Sequence, residues 1–363
     1  MKGATTTSLW SSIPRSIPKA GRVADRARAR LDRPSIDRDD CAAVLSHYDL
    51  RVSRGPRNIG HGWRNDIVTV RTTDGTKVLK RYPSRWNVAA IEHEHSILLW
   101  LEQVEFPAVR LARRPNGDTW TTLAGNVYVL FEFSRGRNVT GCIMASARRR
   151  SHLTVAGQTL ARLHRAMERF VPGGAHHLSR DSAIDDRGIT VRHRTALARL
   201  VDQPDPPSGD AGPILQALRA EAGRIQERLE QLDESLHAAP LSRHVIHGDF
   251  GLHNLLFRAD GTAVVHDFEL ARVDYRLIDI AAVLSRGEIE PMQAFLEGYR
   301  SEAAISSHEW ECLAEVWEMY RLCGAVQSWE NYVRYGDPRR LRTASRRIDE
   351  AATVRTRGVL TCL

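Results

Sequence analysis

The segment VIHGDFGLHNLLF, residues 245–257, places His247, Asp249 and Asn254 inside a run that is otherwise apolar. Val245 and Ile246 end one apolar stretch, Leu255, Leu256 and Phe257 begin another, and Gly248 and Gly251 let the backbone bend between them. The continuation FRADGTAVVHDF, residues 257–268, reads as a hairpin turning at Asp260-Gly261, with Val264 and Val265 returning toward Asp267. A hairpin brings the residues ahead of its first strand close to those after its second. Asp249 and Asn254 are thereby expected beside Asp267, two carboxylates and one amide converging at the end of a β-ribbon. Taken singly, these side chains fit a turn cap, a satisfied loop amide and a surface ion pair; their joint spacing argues against three separate roles. Oxygen donors of this kind suit Mg²⁺, which takes few protein ligands and completes its shell with water and substrate phosphates. A carboxylate left free of metal can orient a hydroxyl nucleophile and accept its proton.

The pattern His247-Gly248-Asp249, Asn254 five residues on, and then Asp267-Phe268 resembles the aminoglycoside-phosphotransferase-like group of small-molecule kinases. That group includes choline-kinase-like and homoserine-kinase-like enzymes and shares the protein-kinase fold. The resemblance implies an α+β, bilobal architecture: a small N-terminal lobe of antiparallel sheet plus helix, and a larger, mainly helical C-terminal lobe. It implies that Asp249 is the catalytic base, that Asn254 and Asp267 hold Mg²⁺ on the phosphates of ATP (with GTP left open), and that His247 braces the loop. Asp279, in YRLIDIAAVL, matches a family aspartate that ties down the catalytic loop from a helix start, and FLEGYR (295–300) is similar to a recurring helical segment of bacterial members. The implied reaction moves the nucleotide γ-phosphate to a small-molecule hydroxyl.

The first lobe is read outward from the same requirement, a cation on the α/β-phosphates and a carboxylate to fix it. NDIVTVRTTDGTKVLKRY forms two β-runs around an Asp-Gly turn, NVAAIEHEHSILLWLEQVEF follows with helical spacing, and NVYVLFEF is a β-run after the Asn-Gly turn of PAVRLARRPNGDTW. Val78 and Lys80 share one strand face and Lys77 the other. The family's Val-Leu-Lys pattern implies Lys80, with Lys77 the alternative. On the helix the family's spacing implies Glu94 as its partner rather than Glu92. RNIGHGWRN supplies Gly60, Gly62 and Asn65 for a turn over the nucleotide, an incomplete glycine-rich loop in which His61 and Trp63 are given no role. Glu132 and Phe133 open the expected inter-lobe hinge, whose backbone meets the purine. Glu269 stands where protein kinases carry glycine, and it is expected near a second Mg²⁺ or on Arg272.

Composition sets the outer limits. The chain has 363 residues, 42% hydrophobic and 26% charged, enough for a substantial core, with a formal net charge of +8. Residues 1–39 are expected to be a flexible basic extension, 40–133 the nucleotide-binding lobe, 134–350 the catalytic and acceptor-binding lobe, and 351–363 a tail. Five cysteines without metal or disulfide spacing point to a reducing cytoplasm, and no run approaches the ~20 apolar residues of a membrane span. Basic stretches such as RRRSH (148–152) and PRRLRTASRR (338–347) keep nucleic acid in view, but no binding motif supports it, and the oligomeric state, monomer or homodimer, is left open. In the C-terminal segment, Trp310, Leu313 and Trp317 fall on one helical face and read as core. The interspersed Glu311, Glu315, Glu318 and Glu330 are candidates to receive an acceptor's amine, whether from an aminoglycoside, a metabolic alcohol such as homoserine, or a choline-like alcohol.

Overall fold

A computed structural model describes residues 36–61, 66–82, 88–140, 144, 146–171, 193, 196–198, 200, 212–284 and 289–357. The chain enters through helix α1 (Arg38–Ser46), capped by the Asp37 carboxylate accepting from the Asp40 N–H at 2.8 Å. Ile36, ahead of the cap, is already buried, so packing begins before residue 40. Strands β1 (Val52–His61), β2 (Asp66–Thr72) and β3 (Gly75–Arg81) follow, then helix α2 (Val88–Gln103), β4 (Trp120–Leu123) and β5 (Asn126–Glu132). They form one antiparallel sheet in the order β1-β2-β3-β5-β4.

Alternation along the strands assigns the two faces of this sheet. Val68, Val70, Leu79 and Leu130 pack with Val44, Leu45 and Tyr48 of the α1 region. Val129 and Phe131 turn the other way, into a core shared with Ile91, Leu98 and Leu101 of α2 and continuous with the second lobe. The sequence leaves β1 unrecognised, because its polar residues and glycines hide an edge strand with irregular register. Gly60, expected in a turn, instead lies within β1 opposite Ile67. Gly62, Trp63 and Asn65 lie outside the described residues.

The second lobe is mainly helical: α3 (Ser146–Met167), α4 (Gly212–Ala238), α5 (Leu277–Leu284), α6 (Ile289–Arg300), α7 (Ser307–Tyr335) and α8 (Arg339–Arg357). Two short antiparallel ribbons are set among them. One pairs β6 (Arg243–Ile246) with β9 (Arg272–Tyr275), and the other pairs β7 (Leu255–Phe257) with β8 (Ala263–Val265). This is the bilobal, protein-kinase-like architecture that the loop motif implies. α7 starts with a capping box between Ser306 and Glu309 and stops at Gly336, whose φ of 67° takes the left-handed cap. α8 continues past residue 350, where the sequence places the start of a tail, because Ala351 and Val354 extend the buried stripe of Leu341, Ala344 and Ile348. Among the described residues no helix is long and apolar enough to cross a membrane, and Cys41, Cys312 and Cys323 are free thiols.

α3 and α6 cross at almost backbone-to-backbone distance. A Cβ on Gly157 would overlap the carbonyl oxygen of Phe295, and one on Gly298 would overlap that of Thr154. This crossing fixes α3, which carries His164, against Tyr299 of α6. Gly157→Ala is therefore expected to destabilise the fold by roughly 1–3 kcal/mol through overpacking. Gly223→Ala, on the exposed side of α4 with open space around it, should be neutral or stabilising by about 0.4–1 kcal/mol. Thermal unfolding of the two variants should move in opposite directions, or the second should not move.

Candidate active site

β6 delivers the loop that follows it. His247 and Gly248 donate their backbone N–H groups to Oδ2 and Oδ1 of Asp279, each at 2.8 Å. Asp279 sits in the first turn of α5 and is fully buried. Its Oδ2 also lies 3.4 Å from Nε2 of His164, whose Nδ1 meets the Tyr299 hydroxyl at 2.8 Å. Burial works against the charge on Asp279, but His164, His247 and the backbone donors outweigh it, and the carboxyl is held below its ordinary value. Gly248 has φ 81°, and a Cβ there would overlap the Leu270 carbonyl oxygen and the Arg272 guanidinium, so the loop has room only for glycine.

His247 is buried and braces the loop from inside. Its Nε2 meets the His266 carbonyl at 3.1 Å, while Nδ1 accepts the Asp249 N–H at 3.4 Å. Those partners require a neutral ring with its proton on Nε2, and burial lowers the pKa in the same sense. Asn254 closes a short 3₁₀ turn (Leu252–Asn254) and donates Nδ2 to the Asp249 carbonyl at 3.0 Å, while its own carbonyl accepts the His266 N–H at 3.1 Å. With Nδ2 so engaged, the remaining polar atom of the amide is Oδ1, the hard oxygen that Mg²⁺ accepts. The β7–β8 register, Leu255 opposite Val265, then carries the chain to Asp267, which holds a φ of 68° in the left-handed region. The structure thus ties Asp249, Asn254 and the approach to Asp267 into one hydrogen-bonded unit. Among the described residues no group of three or more His, Cys, Asp or Glu forms a metal cluster. The donors on hand are instead the sparse carboxylate-and-amide set that suits Mg²⁺ sharing its shell with phosphates.

Across the cleft, Lys80 on β3 is buried with two carboxylates: Glu94 of α2 at 3.4 Å and Glu269, two residues past Asp267, at 2.6 Å. Its ammonium lies 4.3 Å from the centre of the Tyr82 ring, and the Tyr82 hydroxyl donates to Glu94 Oε2 at 2.7 Å. Burial opposes the ammonium charge, yet Glu269 and Glu94 keep its pKa well above the ordinary lysine value. Burial likewise lifts Glu94 above the usual carboxylate range despite the pull of Lys80. Glu92 is exposed. Lys77, on the opposite strand face, pairs with Asp74 and with Glu132, each at 2.8 Å. The Glu132 side chain is thus held at the hinge by Lys77, and Phe133 beside it is 48% exposed.

Two contacts went unread in the sequence. Nothing in the loop's sequence pattern points to His253, yet its Nε2 lies 3.1 Å from Asp249 Oδ2. The four-residue separation was the available signal, hidden because the loop does not look helical. Glu269 reaches Lys80, while Arg272 pairs with Asp274 at 3.0 Å; only the closing of the two lobes reveals that choice.

The sequence pattern of the phosphotransferase enzyme family matches residues 56–316. The chain is 27% identical over 285 residues to a homoserine kinase of Acidiphilium cryptum, covering 76% of this chain and 80% of that one. In fold it is similar to a microcompartment-associated aminopropanol kinase (TM-score 0.64, 17% identity, 89% of this chain and 99% of that one). It is also similar to the amicoumacin kinase hAmiN (TM-score 0.63, 14% identity, 90% and 95%).

The Asp279 clamp makes a signed prediction. Asp279→Asn keeps the shape but offers one acceptor where two backbone donors converge, at a cost of about 1–3 kcal/mol. Because the folded pKa of Asp279 is depressed, its stabilisation is complete above the unfolded carboxyl value near ~4 and is lost as pH falls through the folded value. The gap in Tm between the natural chain and the variant should accordingly be widest at neutral pH and shrink in acid, as followed by calorimetry across that range. A constant gap would contradict the assignment.

Proposed function

The chain belongs to the phosphotransferase enzyme family, an ATP-dependent kinase class that uses Mg²⁺ and phosphorylates small molecules, and from that footing we propose how its residues divide the work. Asp249 orients the acceptor hydroxyl and takes its proton as the oxygen attacks the γ-phosphorus. The bond from that phosphorus to the β,γ-bridging oxygen breaks, and the nucleoside diphosphate leaves. Asn254 and Asp267 are the side chains that would hold Mg²⁺, whose charge would neutralise the phosphate oxygens. Lys80, fixed by Glu94, meets the α/β-phosphates, and the backbone of Glu132 and Phe133 borders the base. Supporting this division above all is the clamp on the loop: two 2.8 Å bonds to buried Asp279 fix the segment that carries Asp249 and Asn254.

For the acceptor we infer an amino alcohol, with homoserine first. Homoserine kinases of Acidiphilium cryptum and Sinorhizobium medicae align with it over 80% and 79% of their lengths, and an aminopropanol kinase is among the proteins that share the fold. A mass-shift and ³¹P screen with Mg-ATP and Mg-GTP, run against homoserine, simple amino alcohols, choline, sugars and aminoglycosides, should show one phosphoryl group added to an amino alcohol. Transfer to an aminoglycoside alone would overturn the acceptor assignment and leave the reaction class standing.

The base and the metal ligand are separable by experiment. Asp249→Asn should lower kcat roughly 10²–10⁴-fold with nucleotide affinity little changed. Asp267→Ala should remove the Mg²⁺ dependence of nucleotide binding measured by calorimetry. Full turnover in Asp249→Asn would sink the base assignment.

A further inference from the structure

Beside this site, a cavity of about 1220 Å³ opens between the hinge chain, the start of α3 and the β7–β8 turn. It shares the hinge residues Glu132 and Phe133 with the proposed nucleotide site, but not Lys80, Glu94, Asp249, Asn254 or Asp267. Its Glu132 wall faces Lys77, on the side of the sheet turned away from Lys80. Five arginines line it: Arg110, Arg135, Arg137, Arg148 and Arg258. None has an ion-pair partner among the described residues. Arg110 donates one Nη to the Phe106 carbonyl at 2.8 Å, and its other Nη is buried without a hydrogen bond.

The two acidic residues of the lining offset only part of this charge: Glu132 is taken up by Lys77, and Asp260 feels Arg258. Both oxygens of Glu132 accept from Lys77 at 2.8 Å, and Asp260 Oδ1 accepts the Thr262 N–H and hydroxyl at 2.9 and 2.7 Å. Nearby arginines do find partners: Arg150 pairs with Glu297, and both Arg162 and Arg165 pair with Glu302. Of the run RRRSH, then, Arg150 is engaged by a carboxylate and Arg148 faces the cavity. Gathering five guanidiniums around one space with fewer carboxylates raises their mutual repulsion, which a bound anion relieves, and the guanidinium fork matches phosphate oxygens two at a time. The wall also has an apolar part. Phe133 is 48% exposed there, and the His152 ring packs edge-on against Phe257 with centroids 4.5 Å apart.

We propose that this cavity is a second anion site, on the side of the hinge turned away from Lys80, that takes a small phosphorylated metabolite with its phosphates on the arginines and its organic body against the exposed Phe133 side chain. A small ligand is favoured over a nucleic-acid strand because the charge is gathered in a cavity between three elements and does not run as a stripe along the surface. The site does not depend on the assignment of the catalytic residues.

Titration calorimetry of the full chain with inorganic pyrophosphate, at low salt and without Mg²⁺, tests it. Saturable binding is expected, weakened roughly tenfold or more in the triple variant Arg135→Gln/Arg148→Gln/Arg258→Gln. These side chains are exposed and make no close ion pair among the described residues, so the variant should keep the thermal unfolding of the natural chain. No binding, or equal affinity in the triple variant, would overturn the site. So would a single-stranded oligonucleotide that binds more tightly than pyrophosphate and loses affinity in the same variant, since that would make the face a nucleic-acid surface.

Discussion

Asp279 accepts the N–H groups of His247 and Gly248 at 2.8 Å each while wholly shut off from water, and that pair of bonds decides where the loop begins. A buried carboxylate is costly unless its lone pairs are met, and here two backbone donors and His164 meet them. An apolar residue at position 279 would avoid the desolvation cost but would give two backbone donors nowhere to bond. The carboxylate serves as a ruler: its two oxygens are a fixed distance apart, so they fix two successive peptide planes. With those planes set, Gly248 must turn at φ 81°, and the chain leaves β6 in one direction. The α3–α6 crossing acts through the same point, because it seats His164 and Tyr299 behind the carboxylate.

The Lys80 cluster poses the opposite electrostatic problem. One ammonium faces two buried carboxylates, so the group carries an excess of negative charge before any phosphate arrives. Glu94 responds with a raised pKa and a hydrogen bond from Tyr82, which holds it in place whether or not it is charged. Lys80 and Glu94 belong to the first lobe and Glu269 to the second, so the 2.6 Å contact is also an ion pair between lobes. In the proposed reaction, phosphates reaching Lys80 meet that excess negative charge unless a cation comes with them. In that proposal nucleotide and Mg²⁺ would be coupled by charge as well as by ligation.

The geometry of the Asp249 loop, the two hairpins and the burial of Glu94 over Glu92 were legible because each rests on short-range rules. Asp-Gly pairs turn, alternating residues choose a face, and a family motif has fixed spacing. What stayed hidden depends on distant neighbours. β1 is a strand because β2 pairs with it, although its own residues resemble a polar loop. His253 reaches Asp249 only because the turn before Asn254 tightens into a 3₁₀ helix. Gly157 and Gly298 look like ordinary glycines in helical segments, and only the crossing of α3 and α6 shows why a side chain has no room there. α8 passed as a basic tract because its arginines outnumber the residues of its buried stripe.

The glutamates of α7 show why phosphate chemistry is easier to read than acceptor choice. Glu318 is buried against Arg228 of α4 at 2.7 Å, and Glu315 accepts the hydroxyl of Ser235 at 2.8 Å. Trp317 and Trp329 are buried in the core, and Trp310 sits half-buried under Arg300 at 4.3 Å. Acidic and aromatic residues that look like a receptor for an amine therefore serve largely to fasten α7 to its neighbours. Phosphate handling needs particular atoms at particular places, which leaves a motif. Acceptor choice needs only a cavity of suitable shape, which many sequences can build. Two chains can share the Asp249 loop and its Asp279 clamp and still differ in the alcohol they admit, because the clamp acts on the backbone and is indifferent to what the far helices enclose.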